Sequence, residues 1–138
     1  MSTRGQLSIE FLLIGAAFLG VLGIMLLSLS TVFTQGQFAL SVAGGQRIIN
    51  DIESKSGLLF ALGENSKVSL ELPAISNARL LFENDSAILT LVSGSGTEKS
   101  FLRELAFSAD SFQTDLSAPQ KLVLQKIRGR LVVNTQPN

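Results

Sequence analysis

Glu10 stands alone. It is the last charged residue before Arg47, and it follows Arg4-Gly5-Gln6-Leu7-Ser8-Ile9. Directly after it come 17 residues, Phe11 to Leu27, with nothing more polar than glycine. An ionised carboxylate at the mouth of such a segment is costly to bury without a partner. The chemistry it offers is charge pairing in a medium of low dielectric, where the need for a partner fixes register. It also suits the positive end of a helix. The simpler alternative is an interfacial carboxylate at a membrane surface.

The remaining candidates for chemistry are few. Cysteine and histidine are absent. That removes thiol nucleophiles, disulfides, the usual zinc sites and the commonest acid–base side chain. Carboxylates, serines and lysines alternate with apolar residues, as solvent-facing strand positions would, so neither an enzyme nor a cofactor is expected. Ser93-Gly94-Ser95-Gly96 lacks the lysine and following helix of a phosphate-binding loop and reads as a plain connection. Lys126, Arg128 and Arg130, with Lys121 nearby, form the one cationic cluster. It would suit a nucleic acid, an acidic sugar or a neighbour's carboxylates, or simply a solvated strand face balanced by Glu71, Glu83 and Glu104. The 11 basic residues match the 11 acidic ones, and tyrosine and tryptophan are missing. No nucleic-acid partner is therefore expected. Asn84-Asp85-Ser86 is an N-glycosylation sequon in a predicted turn.

Extended through Ser28, Ser30, Thr31 and Phe33, the uncharged stretch exceeds the roughly 20 residues that cross a bilayer as a helix. It is too long for the apolar core of a secretory signal peptide, and no small-x-small cleavage site follows. A plain transmembrane anchor fits its length but gives Glu10 no role. Gly15, Ala16, Gly20 and Gly23 would let neighbouring helices approach closely, with Ala16 and Gly20 as a small-xxx-small pair. Phe11, Leu12, Ile14, Phe18, Leu19, Leu22, Leu26 and Leu27 would fill the spaces between them.

Arg4-Gly5, then Gln6-x-Ser8-x-Glu10, then an uninterrupted apolar run, resembles the class III signal sequence of archaeal type IV pilin-like proteins. The resemblance covers about residues 4–27. It implies cutting between Gly5 and Gln6 by a membrane-embedded prepilin peptidase, which leaves the apolar segment on the mature chain. It implies that Gln6 and Glu10 register neighbouring subunits, the carboxylate pairing with a neighbour's N-terminal amine. It further implies a homopolymer with copies of itself or related pilins, an assembly ATPase and membrane platform, and membrane insertion before assembly. The expected function is a structural subunit of an extracellular adhesion filament. The alternatives are a single-span anchored binding module that does not polymerise, and an archaellin-like motility subunit.

Periodicity supplies the rest. Ile48, Ile49, Ile52, Leu59 and Leu62 share one side of a helical pattern, with Arg47, Asp51, Glu53 and Lys55 on the other. A nearly continuous helix is predicted from about Leu7 to Leu62, with Gly36 and Gly44-Gly45 as places to bend and a stop at Gly63. Thereafter the period is two. Strands are predicted at Lys67–Leu72, Arg79–Glu83 and Ala87–Val92, the last two joined by a tight turn at Asn84-Asp85-Ser86. A further strand is expected around Phe101–Phe107. A last segment runs from Lys121 to Val133, with Val123, Ile127, Leu131 and Val133 on one face and a break at Gly129. The expected organisation is a signal peptide over 1–5, a membrane or filament-core helix over 6–33, its amphipathic continuation over 34–63, and a sheet domain over 64–138. The fold class is α+β: a long hydrophobic helix, then a small antiparallel sheet packed on its C-terminal half.

Overall fold

The computed structural model describes residues 3–137, with side chains from Ser8 to Pro137. The expectations placed on Arg4, Gly5 and Gln6 therefore lie outside the described side chains. The fold is the α+β arrangement expected: helix α1 (Thr3–Ala61), then five strands, β1 (Lys67–Leu72), β2 (Ala78–Val92), β3 (Glu98–Asp115), β4 (Gln120–Ile127) and β5 (Arg130–Pro137). The chain divides into two compact units, Met1–Gln37 and Phe38–Asn138.

No proline occurs before Pro73, so nothing removes a backbone donor along α1. Helical geometry is unbroken at Gly36 and at Gly44-Gly45. The end of α1 differs in mechanism from the expected glycine stop. Gly63 is not in the left-handed region; Asn65 is, with φ 65°. The last carbonyls are met instead by a side chain, Lys126 Nζ donating to Leu62 O at 3.3 Å and Phe60 O at 3.4 Å. A cation at a helix C-terminus also opposes the negative end of the dipole.

Within the second unit, Ile48, Ile49, Ile52 and Leu59 of α1 are buried against the sheet, as the spacing predicts. Leu62 is not; it lies past the helix end and is exposed. Every strand contributes to this core: Leu70 and Leu72, Leu80 and Phe82, Phe101 and Leu105, Leu122 and Leu124, Leu131 and Val133. Among the described residues Ser56 is the one polar residue buried with them, and its Oγ donates to Glu53 O at 2.8 Å.

The strand order is β1-β4-β5-β3-β2. All pairings are antiparallel except that of β3 with β5, which meet in parallel at Ala109 and Leu131. β2 is one element of 15 residues, yet Val92 N, at its end, donates to Asn77 O, just before its start, at 2.9 Å. Fully extended, such a strand would span about 50 Å. The element therefore doubles back. Its reversal is the predicted turn: Asn84 has φ 54°, and Ser86 Oγ donates to Glu83 O at 3.0 Å. β3 follows around the tip, since Asn84 pairs with Ala109 but Ser86 pairs with Glu104.

Two expectations are corrected here. The fourth strand is not confined to Phe101–Phe107, because β3 continues through the polar residues to Asp115. Buried Ala109 and half-buried Phe112, whose ring lies 6.3 Å from that of Phe82, hold that extension on the core. In the last segment Leu122 and Leu124 face inward, so Val123 and Ile127 do not share a face with Leu131 and Val133. Arg128 and Gly129, at φ 52° and 73°, form a tight hairpin turn between β4 and β5. That turn resets the alternation, and a single strand period drawn across it gives the wrong face.

Candidate functional site

The candidate site is the surface of α1 in the first unit. From Ser8 to Gln37 every residue is exposed except Gly15, which is half-buried. Phe11, Leu12, Ile14, Phe18, Leu19, Leu22, Leu26 and Leu27 all stand in the open, Phe11 at 79 %. No polar face relieves them. Burying one such side chain is worth about 1.5–3 kcal/mol, so the full set represents tens of kcal/mol of unmet burial in water. Phe11 to Phe33 rises about 34 Å as a helix, against a hydrocarbon thickness of about 30 Å. The helix is thus long and apolar enough to cross a membrane.

The small residues expected at contacts are also open. A Cβ built at Gly15, Gly20 or Gly23 would meet nothing within 4 Å. They leave shallow places along an apolar rod, which is what close approach of a second helix uses.

The C-terminal end of the apolar run carries hydroxyls, and each is satisfied within the helix. Ser28 Oγ donates to Ile24 O at 3.0 Å, Ser30 Oγ to Leu27 O at 2.9 Å, and Thr31 Oγ1 to Leu27 O at 3.1 Å. Thr34 Oγ1 lies 3.1 Å from Ser30 O and 2.9 Å from Thr31 O. Hydroxyls that bond back to the preceding turn place little polar demand on apolar surroundings. They extend the usable apolar length past Leu27. The pattern is legible in the sequence only as a run of serine and threonine; the bonds need the helix.

Glu10 is exposed at the start of this surface, as is Ser8. It has no ion pair with another described residue. Asn84 is exposed at the tip of the β2 reversal, a position an enzyme can reach.

The cationic cluster does not assemble. Lys126 caps α1, Arg130 pairs with Asp110 at 3.3 Å, Arg128 sits in the hairpin turn, and Lys121 lies opposite Glu71. Ser93 to Gly96 is the connection between β2 and β3, closed by Gly96 N donating to Ser93 O at 2.9 Å. Among the described residues no three acidic side chains gather as metal ligands would. No protein family, curated protein or solved structure matches this chain.

Proposed function

We propose that this protein is the subunit of an archaeal type IV pilus-like surface filament. The observation that carries the reading is the apolar, uncharged helix surface from Phe11 to Phe33, exposed at every residue but Gly15, with Glu10 at its start. Such a surface needs lipid or other helices around it. Its open glycines and internally bonded hydroxyls suit both in turn: membrane first, then a bundle of copies.

In this reading the chain inserts with Arg4 on the cytoplasmic side, following the positive-inside tendency. A prepilin peptidase cuts between Gly5 and Gln6. An assembly ATPase and membrane platform lift the subunit from lipid, and the apolar helices bundle with the sheet units outermost. Transfer from lipid to bundle gains little hydrophobic free energy, since both are apolar; close packing and the pairing of Glu10 supply the preference. The role is structural and adhesive, with no catalytic turnover.

The test is the intact mass of the protein in material sheared from the cell surface. A mass matching a chain that begins at Gln6, in a fraction of thin filaments, supports the reading. A full-length chain that stays in membranes and is absent from sheared material overturns it in favour of a single-span anchored module.

A further inference from the structure

The second unit carries an open groove of about 970 Å³ over the doubled-back β2 and the ends of β3 beside it. That volume falls within the range of about 300–1,000 Å³ that holds a drug-sized ligand. Leu80, Leu89 and Leu91 are buried in the core. Strand alternation therefore turns Arg79, Leu81, Ile88, Thr90 and Val92 to the groove. Across the ladder, Asp115 stands opposite Arg79, Gln113 opposite Leu81 and Glu98 opposite Val92, and all three line the groove as well.

The lining is a short apolar strip, Leu81, Ile88 and Val92, flanked by groups that donate and groups that accept. Arg79 Nε is bound to Asp115 Oδ1 at 3.3 Å. A guanidinium has N–H donors beyond Nε, and a carboxylate has a second oxygen. The pair thus holds a donor beside an acceptor. Thr90 Oγ1 lies 3.1 Å from Ser100 Oγ, and Ser93 Oγ 3.1 Å from Ser95 Oγ. Such hydroxyls serve either way. Gln113 adds an exposed amide, which also does both.

This is the chemistry that recognises a sugar. Neighbouring ring hydroxyls each donate and accept, so they match a guanidinium–carboxylate pair and an amide, while the C–H face of the ring rests on an apolar strip. Other ligands fit worse. Arg79 offsets one of the carboxylates Asp115 and Glu98, and the charge left over is negative, which opposes a phosphate or a uronate. No aromatic ring lines the groove, so nucleic-acid bases have nothing to stack on. An acyl chain or apolar helix would take water from the Arg79–Asp115 pair and give nothing back. The lining is a sheet face rather than an edge, so a peptide would not find there the row of backbone groups that strand addition uses.

We propose that this groove binds a neutral oligosaccharide. Arg79, Asp115 and Gln113 hold the ring hydroxyls, and Leu81, Ile88 and Val92 lie under the ring. The inference deepens the adhesive role proposed above by assigning the class of surface molecule that is held. It needs the second unit and not polymerisation.

The experiment uses the full chain in a detergent without a sugar head group, and saturation-transfer nuclear magnetic resonance with three probes: mannotriose, the trimer of N-acetylglucosamine, and trigalacturonate. Saturation should pass to at least one neutral trisaccharide and not to the acidic one. Asp115→Asn and Gln113→Ala should each weaken that binding, the first by about tenfold or more, the scale of a hydrogen bond to a charged group. Their melting temperatures should match wild type, because an exposed ion pair contributes little to stability. Glu71→Gln, on β1, should change nothing. No transfer to either neutral sugar overturns the inference, as does equal or stronger transfer to trigalacturonate, or binding that both groove variants leave intact. Filaments that form from a chain without sugar binding remove the inference and leave the filament reading. Sugar binding by a chain that never appears in sheared filaments does the reverse, and favours the anchored module.

Discussion

Gly45 lies beneath Leu89: a Cβ at Gly45 would stand 3.0 Å from Leu89 Cδ2 and 3.1 Å from Leu91 Cδ1. This is the close approach of α1 to the sheet, and the buried glycine permits it. The clashing atoms are ends of flexible side chains, so the smallest addition can be absorbed. Gly45→Ala should be nearly neutral, a helix-propensity gain of up to about 1 kcal/mol offsetting the crowding. Gly45→Leu should destabilise by about 1–3 kcal/mol through overpacking. Gly36, where a Cβ meets nothing within 4 Å, provides the control: Gly36→Ala should be neutral or stabilising. Thermal unfolding of the detergent-solubilised full chain, followed by far-ultraviolet circular dichroism, measures all three.

Glu10→Gln keeps size and loses charge. Processing and membrane insertion should remain near wild-type levels, while filaments in the sheared fraction should fall below detection. Abundant normal filaments from this variant would remove Glu10 from any role in registration.

Lys126→Met keeps the apolar stem over Phe60 and discards the charge that meets the last carbonyls of α1. The expected loss is about 0.5–1 kcal/mol, the scale of a cation at a helix C-terminus. Lys126→Arg should recover most of it. Equal melting temperatures for all three proteins would show the cap to be inert.

Phe82 is fully buried and packs beside Phe112. Phe82→Ala should cost about 3–5 kcal/mol. Phe11→Ala, at an equally large but exposed side chain, should leave the unfolding of the sheet unit unchanged and act only on assembly. Measuring melting and filament yield on both separates folding from polymerisation.

At Asn84 the left-handed backbone complicates the usual test of glycosylation, since most replacements are strained at φ 54°. Asn84→Gly abolishes the sequon and keeps that conformation readily. Intact mass should drop by the glycan in this variant with no loss of melting temperature. A wild-type mass equal to the bare polypeptide would show the sequon to be unused.

Much was legible from residue order. The absence of charge between Glu10 and Arg47 and of proline before Pro73 is enough to specify a long helix, apolar all round and then amphipathic. The alternation from Lys67 to Leu72, and the turn residues Asn84-Asp85-Ser86, likewise carry their own conformation, because turn and strand preferences are local. What was not legible depends on contacts between distant segments. Val123 and Ile127 took the outer face because the Arg128-Gly129 turn resets the alternation, and only pairing with β5 reveals that reset. The polar residues after Phe107 became strand because Phe82 and Leu131 were there to receive them. Lys126 left its expected row of cations because the carbonyls of Phe60 and Leu62, more than sixty residues earlier, attract a positive charge. Local preference thus determined the helix, the strands and the turns, and tertiary packing decided which face each side chain took.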